Sequence, residues 1–147
     1  MLWLLNVIVV TSRVMLTSRQ FLVLIFLGIV FWALATAQIR WMPGSITGAI
    51  TFVTSLPVGW ISVWIAQRCA FLSREQLPTG IIVCGATAMM IDGAVLHWAP
   101  HVYGLDEITV RLGAAWLLWG YGVAFGIAYL ISRPKIIKAE NGSKVTQ

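Results

Sequence analysis

The sequence predicts an all-α polytopic membrane protein: four transmembrane helices in a bundle, with both termini cytoplasmic. Three observations carry that expectation. Hydrophobic residues make up 59% of the 147 positions and charged residues only 10%, with a mean hydropathy of +0.87. Soluble domains carry roughly 25% charged residues, so the chain lacks the polar surface that water demands. Four apolar runs, 21–39, 46–66, 79–99 and 112–131, each come near the ~20 residues that cross a bilayer as a helix. The basic residues also sort by loop. Arg13, Arg19, Arg68, Arg74, Arg133, Lys135, Lys138 and Lys144 fall on one side of the four-span path, Arg40 and Arg111 on the other. Basic loops stay in the cytoplasm, which implies a multi-pass membrane protein with both termini on that side.

Residues 1–20 form an N-terminal segment. Its apolar part, Met1 to Val10, is too short to span. It has neither the positive n-region nor the small-residue cleavage site of a secretory signal. Either it lies in the interface as a short helix or translation starts at Met15, where MLTSRQ leads directly into the first span. The Met15 start is the favoured expectation.

Span one closes on Arg40 and Trp41, a pair suited to the water interface, where Trp anchors and Arg snorkels. Pro43 and Gly44 punctuate the next turn, so spans one and two are expected to form a helical hairpin. Span two contains Pro57, which removes one backbone hydrogen bond but is tolerated in membrane helices. Residues 67–78 form a cytoplasmic loop. Span three ends at Pro100, the polar turn 101–111 carries Asp106 and Glu107, and span four is followed by a basic cytoplasmic tail, 132–147.

Asp92 is the residue around which the spans organise. A carboxylate at mid-bilayer costs roughly 2.5–3.5 kcal/mol, so it should face protein or trapped water. At 1.5 Å per residue it lies about 10 Å below the outer end of span three. Gly85 and Ala88 lie on its helical face, and Gly80 and Cys84 continue the stripe. Small residues of this kind let helices approach closely. Arg40 is the expected partner, forming a buried charge pair with Asp92, and Arg111 is its rival. Gly122 and Gly126 form a GxxxG pair in span four, a close-packing motif that serves a neighbouring span and a second copy equally well.

His97 and His101 stand at the i, i+4 spacing of a helical metal or haem pair. Pro100 pushes the preceding residue out of helical conformation, which makes them a weak metal candidate. His97 is also about 140° around the helix from Asp92, so no Asp–His dyad follows. Cys69 and Cys84 lack C-x-x-C spacing, and Cys69 falls in a cytoplasmic loop, so neither a disulfide nor thiol redox chemistry is expected. The net charge of +5 does not point to nucleic acid, because the basic residues cap spans and fill the tail rather than forming a patch.

FLGIVFWALATAQIRWMPG, MMIDGAVLHWAPHVYG and GAAWLLWGYGVAF together resemble a family of small bacterial four-span membrane proteins of unknown function. That family shows a first-span Arg, a third-span Asp, a Pro-aromatic outer turn and a Gly-Ala-Trp-Leu-Leu-Trp-like fourth span. Arg40, Asp92, Pro100 with Tyr103, and Gly113 to Trp119 match these places. The histidines lie outside the pattern. The resemblance implies topology and no activity.

The expected function is therefore non-enzymatic and cofactor-free. The protein is expected to pack in the lipid bilayer with itself, as a homo-oligomer, or with a membrane partner, Arg40 and Asp92 fixing the bundle. The first alternative is a small oligomeric transporter exchanging a proton at Asp92 for a cation or hydrophobic solute. The second is a haem or metal membrane protein using His97 and His101.

Overall fold

The computed structural model describes residues 15–42, 44 and 49–133. The expectations for residues 1–14 and for the tail beyond 133 lie outside them. Among the described residues the fold is all-α: α1 (Ser18–Trp41), α2 (Ala49–Cys69), α3 (Leu77–Trp98), a 3-10 turn (Pro100–Val102) and α4 (Glu107–Ser132).

Local chemistry extends three helices beyond the apolar runs. Thr17 opens α1 with a capping box: its hydroxyl accepts from the Gln20 backbone N–H, and Gln20 Oε1 accepts from the Thr17 N–H at 2.9 Å. Pro78 sits in the first turn of α3, where its missing N–H costs nothing. Asp106 caps α4 by accepting from the Thr109 N–H at 2.8 Å. The helix therefore starts at Glu107, inside the stretch expected to be a polar turn. α2 runs unbroken through Pro57. In the turn before the proline, the Ser55 hydroxyl and the Trp119 indole N–H both donate to the Phe52 carbonyl, at 2.6 and 3.1 Å.

α1, α3 and α4 are long and apolar enough to cross a membrane. Their outward faces carry large exposed apolar side chains, among them Leu22, Phe26, Met90, Leu118 and Leu130. In water such a surface would aggregate, whereas in a bilayer it meets its own kind. The chain is a helical membrane protein.

Packing departs from chain order. α1 packs chiefly on α3 and α2 on α4, the α3–α4 contact joins the two pairs, and α1 and α2 barely touch. The expected hairpin of spans one and two is thus not the packing unit. The reason is steric. A Cβ on Gly28 of α1 would stand 2.6 Å from the Cys84 carbonyl oxygen, so glycine alone lets these two backbones approach so closely. At Gly59 and Gly113 the missing side chain instead makes room for the Val123 and Ile39 side chains.

Two apolar clusters hold the bundle. The larger gathers Leu24, Leu27, Val63, Ala66, Leu77, Ile81 and Ala128 with the α2–α3 turn residues Ala70 and Leu72. The smaller gathers Ile39, Tyr103, Trp116 and Leu117 at the opposite end. In the α2–α3 turn Phe71 adopts φ 51° with its ring exposed, and its carbonyl accepts from Gln20 Nε2.

A candidate functional site: a membrane carboxylate between two phenols

Asp92 is 5% exposed, in the interior of α3. Each carboxylate oxygen accepts one phenolic hydrogen bond: Tyr103 donates to Oδ1 and Tyr121 to Oδ2. Tyr103 is fully buried, folded beneath the turn that follows the 3-10 helix. Its oxygen also accepts from the Trp32 indole N–H of α1 at 3.0 Å. The carboxylate thereby joins α1, α3, the outer turn and α4. Burial, then the bond to Asp92, push the Tyr103 phenol up to about 12, so it remains a protonated donor at any physiological pH. Thr36 places its hydroxyl beside this group, buried and without a hydrogen-bond partner of ordinary geometry.

The Arg40–Asp92 pair is therefore corrected. Arg40 is exposed at the last turn of α1, and its guanidinium donates to the His101 carbonyl at 3.3 Å, pinning that helix end to the 3-10 turn. Desolvating a guanidinium is costly, and Arg40 reaches water and a carbonyl without it. Arg111 is exposed as well. Among the described residues no cation pairs with Asp92.

His97 and His101 occupy different elements, both exposed, with His97 edge-on to Trp98 at 5.1 Å. Among the described residues no group of three or more His, Cys, Asp or Glu could hold a metal ion. Gly80, Cys84 and Ala88 are buried on the face of α3 that carries Asp92. Gly85 meets the Phe125 ring, to which a Cβ would come within 2.7 Å. Gly122 and Gly126 lie exposed on α4, where an added methyl group would find nothing of the described chain within 4 Å. Among the described residues their open faces pack against nothing. Cys84 is buried and Cys69 exposed, both free.

Sequence reasoning missed Tyr121 and Trp32, and took Tyr103 only as an aromatic of the outer turn. A signal for Tyr121 existed. It sits far from either end of α4, well away from the aromatic belts where membrane tyrosines usually anchor. A phenol at that depth has no water and needs a protein acceptor.

Beside the network lies a cavity of about 300 Å³, lined by all four helices. Phe31 and Leu34 of α1, Val58 and Val63 of α2, Ile81 of α3 and Phe125 of α4 mark its walls. Tyr121, half-buried, belongs to both the cavity wall and the carboxylate site. No family model, no curated protein and no solved structure matches the chain.

Proposed function

We propose that the protein is a four-span carrier of a bacterial inner membrane, both termini cytoplasmic, in which Asp92 takes up and releases a proton beside a solute cavity. The supporting observation is a membrane carboxylate bonded to two phenols, one of which lines that cavity. A tyrosine hydroxyl both donates and accepts. Tyr121 donates to an ionised Asp92 and turns to accept from a protonated one, so both states keep the same heavy-atom geometry. An intramembrane carboxylate without a cation is costly unless it is protonated, and its proton can be exchanged against a hydrophobic solute held in the apolar cavity beside it. The only bond made and broken in this mechanism is the O–H bond of the Asp92 carboxyl. The fourth span is α2, whose 21 helical residues extend roughly 30 Å at 1.5 Å each. The motif resemblance supports this topology and adds no activity.

The test is infrared difference spectroscopy of the protein in lipid vesicles across a pH series. A protonated-carboxyl C=O band should appear reversibly as pH falls, and should be absent in Asp92→Asn. A spectrum without a pH-dependent band assignable to Asp92 would remove the proton role. The topology is checked separately with a periplasm-active reporter fused after Arg133, which should stay silent. A second function, packing with another copy or a membrane partner, draws support from the open Gly122–Gly126 face of α4. A detergent mass equal to one protomer would exclude the homo-oligomer.

A further inference from the structure

We propose that the central cavity binds the acyl chain of a bilayer lipid, admitted sideways between α1 and α2. The inference rests on the membrane-embedded reading of the bundle and not on proton exchange at Asp92. Position comes first. The lining residues belong to the four long helices, at 31–38, 55–65, 81–88 and 116–125. At those depths the surrounding phase is hydrocarbon. α1 and α2 barely touch, whereas α1–α3 and α2–α4 are tightly packed. The slack seam therefore lies between α1 and α2, where Leu34 and Val58 line the cavity while remaining exposed on the outer surface.

The wall's polar groups point to the same occupant. Ser55 donates to the Phe52 carbonyl and accepts from the Trp119 indole at 2.8 Å. Ser62 donates to the Val58 carbonyl at 2.9 Å. Tyr121 is committed to Asp92 and Trp32 to Tyr103. Gln38 takes part in an interaction as well. Among the described residues the Trp116 indole nitrogen has no partner, but that atom is itself buried. The Cys84 thiol is only a weak donor. A polar solute entering here would exchange its water for a wall whose strong hydrogen-bonding side chains are already engaged or sealed, at a loss. A hydrocarbon chain gives up nothing. At about 300 Å³ the space sits at the lower end of ligand pockets, room for one chain rather than a bulky molecule.

Gly120 supplies a clean test. It lines the cavity, and a Cβ built there meets nothing within 4 Å, so Gly120→Leu sets its side chain off from open space at the cavity wall. Gly93→Leu is the control, equally open at its Cβ but outside the lining. Each protein is purified from membranes in mild detergent and examined by native mass spectrometry, with circular dichroism checking the fold. The wild type and Gly93→Leu should carry one phospholipid per protomer, and Gly120→Leu at least tenfold less. In parallel, wild type in vesicles containing a phospholipid with a photoreactive acyl tail should crosslink at half-buried cavity residues such as Phe31 or Phe125. A lipid-free wild type, equal lipid on Gly120→Leu, a polar solute as the retained species, or crosslinks confined to outward faces would each overturn the proposal. Should Gly120→Leu fail to fold, the crosslink map decides alone. Loss of the infrared signal at Asp92 with lipid binding intact would remove the proton role and leave this site standing.

Discussion

Removing the Tyr121 hydroxyl asks what charge Asp92 carries inside the bundle. In a double-mutant cycle pairing Tyr121→Phe with Asp92→Ala, the coupling energy isolates the bond between them. Interhelical hydrogen bonds between neutral groups in membranes average about 0.6 kcal/mol, while bonds to a charged group contribute about 1.5–3 kcal/mol. The cycle therefore reads the protonation state: about 2 kcal/mol where Asp92 is ionised, falling below about 1 kcal/mol where it is protonated. Tyr103→Phe supplies an internal check. It takes one bond from Oδ1 and also strands the Trp32 indole donor, whereas Tyr121 serves Oδ2 alone. Tyr103→Phe should thus cost about 1 kcal/mol more than Tyr121→Phe, the value of one extra ordinary hydrogen bond. Both quantities come from reversible denaturation in bicelles by a graded fraction of sodium dodecyl sulfate, followed by tryptophan fluorescence at several pH values. A coupling within about 0.5 kcal/mol of zero at every pH is the additivity expected of unconnected sites. That result would refute the reasoning, as would equal costs for the two Tyr→Phe changes.

Further outcomes follow from the seams and the outer turn. Gly28→Ala should destabilise the bundle by about 1–3 kcal/mol, because its methyl meets the Cys84 carbonyl rather than a side chain that can swing away. Gly122→Ala, in open space within a helix, should be neutral or stabilising by up to about 1 kcal/mol in the same denaturation assay. The hydrogen bonds from Thr109 hold the Asp106 carboxyl below its ordinary value. A lowered folded pKa means stability that is present above the unfolded value and is lost as pH falls through the folded one. Thermal melts should therefore show a small acid-side loss in wild type that Asp106→Ala lacks, and identical acid limbs would contradict the cap.

Membrane class, the long helices of the described residues and the burial of Asp92 were legible in the chain because each rests on local quantities: hydropathy over a window and one charge within it. The cap at Asp106 was legible in principle, yet the polarity of Asp106 and Glu107 masked the first turn of α4, where charge suits a helix N-terminus. The partners of Asp92 were not legible. Charge complementarity pointed to Arg40, but a surface guanidinium keeps its water, while a phenol such as Tyr121 loses nothing by turning inward. The α1–α3 pairing also escaped prediction. It depends on which glycine faces which carbonyl, as Gly28 faces Cys84, and no spacing within one helix encodes a register between two.

That pairing shapes how the chain assembles. The chain is made from the N-terminus onward, so α1 exists before its main neighbour, and α2 follows it with little of α1 to hold. The two wait side by side until α3 supplies a surface for α1 and α4 one for α2. Only then can Tyr103 and Tyr121 close on Asp92 from opposite elements. During synthesis the carboxylate of α3 therefore passes through a stage when Tyr121 has yet to be made. The last helix to arrive completes the shielding of a charge that the lipid would reject.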